Sequence, residues 1–164
     1  MIRIQNPKTR VVLALFCLCT AWLPAPAAMA AENAQDLFAR AQRSYILGDY
    51  EKAVHDLKAA LAQTPDNADY HHWLGRSYGR LAQHAGWIQA LTLSRKTLHE
   101  LEVAVDLDRN NIPALEDLME YYREAPGFLG GSRHKAEQIA RRLEVLGASG
   151  ITQETAHTSA NSPS

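Results

Sequence analysis

An all-α fold of stacked helical hairpins is what this sequence predicts, and three observations predict it. Apolar residues recur at helical rather than alternating spacing: Leu37, Ala41 and Tyr45, then Ala53, Leu57 and Ala60. Gly48 punctuates that run and Pro65 closes it, so two short helices meet at a tight turn. Leu74-Gly75 with Tyr78 then stands one repeat length, roughly 34 residues, beyond Ala41 and Ser44. A helix pair of this size cannot hide its apolar stripe alone, so successive pairs are expected to pile up side by side.

Ahead of the first pair, Arg3, Lys8 and Arg10 precede an apolar run from Val11 to about Leu23, and Ala28-Met29-Ala30 follows two prolines. A basic start, a short greasy middle and an Ala-x-Ala exit form a secretory signal pattern over residues 1–30, with cleavage expected after Ala30. The run is shorter than the ~20 apolar residues of a comfortable span, so no membrane insertion is expected once the leader is removed. Periplasmic or secreted is the expected address. An uncleaved anchor is the plainer alternative, and lipidation fits less well because Leu15-Phe16 precede Cys17 where small residues belong. Cys17 and Cys19 are the only cysteines and both lie in this leader. The mature chain would therefore be free of disulfides, thiolate nucleophiles and cysteine metal sites.

Residues 31–147 are expected to form one helical domain of three units, about 34–67, 68–111 and 112–147. In the first unit Asn33 or a neighbour caps a helix reaching about Leu47, and the second helix runs from about Tyr50 to Gln63. Small residues at Ala41, Ala53 and Ala60 let the two cross closely. In the second unit, Ala104, Asp108 and Asn111 stand where Ala60, Thr64 and Asn67 stood, but about ten residues later than a plain repeat puts them. Extra chain must lie between Leu81 and Leu98, expected as a lengthened turn around Gly86 plus an extended second helix with Leu91, Leu98, Leu101 and Val105 inward. The third unit opens at Ile112-Pro113, with proline in the first turn and Leu115, Leu118, Met119 and Tyr122 inward. Residues 125–131 break that helix, and Ser132 caps a last one bearing Ala136, Ile139, Ala140, Leu143 and Leu146 on one side. Residues 148–164, rich in Ser, Thr and Asn, are expected to be a disordered tail.

The ladder of Leu37, Ala41, Gly48-Asp49-Tyr50, Ala53, Leu57, Ala60 and Pro65, with Leu74-Gly75-x-x-Tyr78 after it, resembles the tetratricopeptide repeat. With Ala104-Val105-Asp106-Leu107-Asp108, Tyr121-Tyr122 and Ala125-Pro126-Gly127-x-x-Gly130-Gly131, it is similar to small exported bacterial tetratricopeptide proteins. The resemblance covers roughly residues 34–147 and implies a right-handed superhelical stack whose inner wall is made by the first helix of each unit. That wall would carry Phe38, Gln42 and Tyr45, then His72, Arg76 and Arg80, then Glu116 and Glu120, with Gln35, Asp69, Arg123 and Glu124 beside them. A protein or peptide partner in the cell envelope is what such a wall implies, held in a concave groove; the rival is an assembly subunit that packs through its convex side or ends. Where relatives of this kind grip a terminal carboxylate, Glu116 and Glu120 would repel one.

Other chemistry finds little footing. A net charge of −1 gives no basic excess for nucleic acid. His71 and His72 project about 100° apart on a helix, so they cannot share one ion, and no metal or other cofactor is expected. Gly130-Gly131-Ser132 ahead of Arg133, His134 and Lys135 reads as a turn, or less readily as an anion cradle. Carboxylate pairs such as Asp106 and Asp108 sit on exposed helices, no nucleophile stands beside a base, and no catalytic residue is assigned.

Overall fold

A computed structural model describes residues 32–160, with side chains as far as residue 147. The expected leader, its cleavage point and residues 161–164 lie outside the described residues. Six α-helices and no strand occupy the described chain: α1 Ala34–Ile46, α2 Tyr50–Gln63, α3 Ala68–His84, α4 Trp87–Leu107, α5 Ile112–Glu124 and α6 Arg133–Ala160, with a 3-10 turn at Gly127–Leu129 before α6. They form three antiparallel hairpins, α1–α2, α3–α4 and α5–α6, each packed on the next.

The same device opens the first helix of every hairpin. The side-chain oxygen of Asn33 accepts the N–H of Asp36 at 2.9 Å, that of Asn67 the N–H of Tyr70 at 3.1 Å, and that of Asn111 the N–H of Ala114 at 3.0 Å. Each satisfies a donor the helix cannot, worth about 1 kcal/mol. Gly48, at φ 83, ends the first hairpin's turn, and Asp49 caps α2.

Two apolar clusters run through the stack. The first joins Leu37 and Ala41 of α1, Leu57 and Ala60 of α2, Tyr70, Leu74 and Tyr78 of α3, and Leu93 of α4. The second joins Leu101 and Ala104 of α4, Leu115, Leu118 and Tyr122 of α5, and Ala136 of α6. Helix α4 is long enough to serve both, which is the structural use of its extra turns. Its buried face is Leu93, Thr97, Leu101, Ala104 and Val105. Leu91 and Leu98, expected inward, are only half-buried.

The surplus chain of the second unit corrects one expectation. The turn is not lengthened: only Ala85 and Gly86 separate α3 from α4. Both helices absorb the extra residues instead, reaching 17 and 21 residues. Leu81 and Ala82 pack against the first cluster, so prolonging α3 buries apolar surface that a loop would leave wet. Where α3 meets α4 the backbones come close: a Cβ on Gly75 would lie 3.0 Å from the Leu101 side chain and 3.3 Å from the Thr97 carbonyl oxygen.

The last turn is equally tight. A Cβ on Gly131 would overlap the Ala125 carbonyl, and Gly130 takes φ 93 beside Leu98. The N–H groups of Gly130, Gly131 and Ser132 are bonded to the carbonyls of Gly127, Pro126 and Tyr122. These glycines serve the turn and leave no backbone donors for an anion. Beyond it, α6 continues to Ala160, so residues 148–160, expected to be disordered, have helical backbone. No proline interrupts that stretch, so nothing in the backbone chemistry ends the helix before Ala160.

One charged group is deep in the first hairpin. Asp56 is 2% exposed and takes a two-pronged guanidinium from Arg40, Nε to Oδ2 at 2.6 Å and Nη2 to Oδ1 at 2.7 Å; Arg40 also reaches Glu32. The hydrogen bonds from Arg40 hold the Asp56 carboxyl below its ordinary value of 3.8, outweighing burial, which alone would raise it.

Three outcomes follow for the isolated chain. Leu57 is fully buried, so Leu57→Ala is expected to cost about 3 kcal/mol in denaturant unfolding. Gly75→Ala, which forces α3 from α4, is expected to lower stability on the order of 1–3 kcal/mol without changing helix content by circular dichroism. Because the folded-state value of Asp56 is depressed, its stabilisation is fully present above the unfolded value and lost as pH falls through the folded one. The gap in thermal midpoint between the native chain and Asp56→Ala should therefore be wide at pH 7 and shrink steadily below about pH 4; an equal gap throughout would mean the carboxylate contributes nothing by its charge.

Candidate binding groove

The first helices α1, α3 and α5 lie along one side of the stack and make its candidate site. Two different joints connect them. Between α1 and α3 the joint is aromatic: Phe38 lies 4.7 Å from Tyr70 and 6.3 Å from Trp73 between ring centroids, and Tyr45 meets Trp73 edge-on at 5.3 Å. Between α3 and α5 it is polar. His72 Nε2 lies 2.6 Å from Asp117 Oδ2, Arg76 Nε lies 3.4 Å from the same oxygen, and Asn111 donates to Asp69 at 2.9 Å.

A cleft of about 390 Å³ opens over these joints, lined by Tyr45 of α1, Arg76, Arg80 and Gln83 of α3, and Asp117, Glu120, Tyr121 and Glu124 of α5. Its floor is Thr97 and Leu101 of α4. The Arg76 guanidinium lies 5.2 Å from the centroid of the Tyr45 ring and 4.9 Å from that of Trp73, in the corner these two edge-on rings make. Arg80 donates to the Tyr50 hydroxyl at 3.2 Å and to Gln83 at 3.1 Å, and the bond to Tyr50 holds its guanidinium protonated still more firmly than usual. The Tyr121 hydroxyl is shared between the carbonyls of Ser94 and Leu129, 2.9 Å from each, and burial pushes its ionisation upward.

Of the residues the sequence assigns to the inner wall, Tyr45, Arg76, Arg80 and Glu120 come together in this cleft. Phe38 does not line it: it is half-buried and packs into the first cluster. His72 is 3% exposed, and lies beneath the wall, tied to Asp117. Gln42 is half-buried on α1, and Glu116 is exposed one turn before Glu120. His71 turns the other way, toward Glu100 of α4 at 2.7 Å and the Pro65 carbonyl at 2.8 Å, so the adjacent histidines serve different helices. No group of three or more His, Cys, Asp or Glu side chains that could hold a metal ion occurs among the described residues.

The residue that sequence reasoning missed is Asp117. It was legible from the caps: it stands six residues past Asn111, as Trp73 stands six past Asn67. Each of these two side chains leans on the first helix of the preceding unit. A second hollow, of about 440 Å³, is lined by α4, α5 and α6, and three of its polar groups bond one another. There Lys135 lies over the Tyr122 ring and reaches Glu102, and the Tyr122 hydroxyl, its ionisation raised by burial and then by Glu102, donates to that carboxylate.

Residues 41–81, from the middle of α1 to near the end of α3, match the family model described as TPR repeat. No curated protein matches the chain. That match lies inside a stack of helical hairpins with no strand among the described residues, so residues 41–81 are similar to a tetratricopeptide repeat and the fold around them is consistent with a stack of such units.

Proposed function

We propose that the chain is an interaction module that holds a protein or peptide segment in the cleft between α1, α3 and α5, acting in the cell envelope after export. The observation that carries this is the cleft itself: three successive first helices each contribute a polar or aromatic side chain to one continuous recess. Stacked repeats of this kind use such concave surfaces to bind extended partners. The leader pattern of residues 1–30 supports the export step, and no helix among the described residues is long and apolar enough to cross a membrane.

A second reading, an assembly subunit with an idle groove, is favoured by a specific feature. Large apolar side chains stand exposed at the turn inside each hairpin: Ile46 and Leu47 in the first, Trp87 and Ile88 in the second, Phe128 in the third. Antiparallel hairpins stacked in sequence bring these turns to one edge, while the linkers between hairpins, residues 64–67 and 108–111, are polar apart from Pro65.

Pull-downs from envelope extract separate the two. If the groove binds, exchanging exposed charges in Arg80→Glu with Glu120→Lys should cut capture at least about tenfold. Trp87→Ser with Ile88→Ser should then leave capture intact. The opposite pattern, capture lost at the turn edge and kept in the charge exchange, would establish the assembly reading instead.

A further inference from the structure

We infer that the segment bound in the groove is cationic, presenting lysine or arginine side chains to the α5 wall. This deepens the groove reading and rests on it. The charged side chains lining the cleft are Arg76 and Arg80 against Asp117, Glu120 and Glu124. Both cations are held within the fold, Arg76 by a carboxylate and Arg80 by neutral groups only. Arg76 lies against Tyr45 and Trp73 and pairs with Asp117; Arg80 is drawn toward the first hairpin by Tyr50, over whose ring it lies at 5.5 Å. Of the three α5 carboxylates that line the cleft, only Asp117 is tied to a cleft cation. Glu120 has neither hydrogen bond nor ion pair, and Glu124 has only its neighbour Arg123 at 3.8 Å, both largely exposed. Arg123 itself lines a different hollow with Met119 and Arg133, away from the cleft.

Glu116, equally unpartnered, precedes Glu120 by one turn, so 116, 120 and 124 form a row of like charges at four-residue spacing. Such a row repels itself, and the only ion pair made to it is that of Arg123 with Glu124. A partner's cations would. The opposite wall shows what it does with a positive group, since its Tyr45 and Trp73 rings hold Arg76. A carboxylate-bearing segment, by contrast, would meet Glu120 and Glu124 with only Arg80, held toward Tyr50 and Gln83, to answer it.

Panning a display library of short random peptides on the purified chain at low ionic strength tests this. The expected pool is enriched in lysine and arginine, binds about tenfold more weakly to Glu120→Gln/Glu124→Gln, and weakens as salt is raised. Circular dichroism on the double variant should match the native chain, since both side chains are exposed. An acidic or uncharged pool that is lost on Arg80→Glu would overturn the cationic partner and leave the groove standing. No enrichment, or a pool indifferent to every groove variant, would overturn the groove as well.

Discussion

The way one unit leans on the next decides most of this structure, and it does so through one helical position. Six residues past the capping asparagine, Trp73 packs on Phe38 and Tyr45 of the unit before it, and Asp117 binds His72 and Arg76 of the unit before it. The position is the same and the chemistry is opposite. An aromatic joint is held by burial and tolerates small shifts, because dispersion and area are not directional. A joint made of an imidazole, a guanidinium and a carboxylate is satisfied only in a narrow geometry, and an unpaired member would be costly at His72, 3% exposed. Helix α3 is thus fixed by mass on one side and by orientation on the other.

The second helices complement this arrangement. Thr97 and Leu101 of α4 lie against Gly75 of α3 at the limit of van der Waals approach, so α3 cannot retreat from the groove. Within the first hairpin, the Arg40 fork on buried Asp56 locks α1 to α2, so the Tyr45 end of the groove is carried on a rigid pair. The wall residues Tyr45, Arg76 and Glu120 sit on helices each fixed from behind, which holds their spacing without a loop's freedom.

Much of this was legible in the letters where the repeat pattern is strong. Gly48, Ala53, Ala60 and Pro65 give the first hairpin nearly residue by residue, because backbone exceptions and small contacts are local and leave marks. The second unit was legible in Leu74, Gly75 and Tyr78, and beyond them only as a surplus of chain. Whether extra residues become loop or helix depends on whether neighbouring units offer apolar surface, and Leu81, Ala82 and Leu93 find it only in three dimensions. Of the α4 residues expected inward, Leu98, Leu101 and Val105 do meet the second cluster, and Leu91 is half-buried outside both clusters. His72 was read as wall because its position faces the next unit, and Asp117, which buries it, lies 45 residues on, beyond any local pattern.

The polar joint also explains why the groove is unevenly charged. Had position six of the third unit been apolar, Arg76 would have no carboxylate beneath it and its charge would face outward, opposite Glu120. Asp117 draws that guanidinium inward, against two rings, where its field is largely cancelled at short range. The residue that orients α3 on α5 therefore pairs with one of the two cations that line the cleft. Glu116 and Glu120 keep their charge unanswered as a consequence of how the third unit is joined to the second, so a single position sets both the angle of the stack and the electrical sign of its inner face.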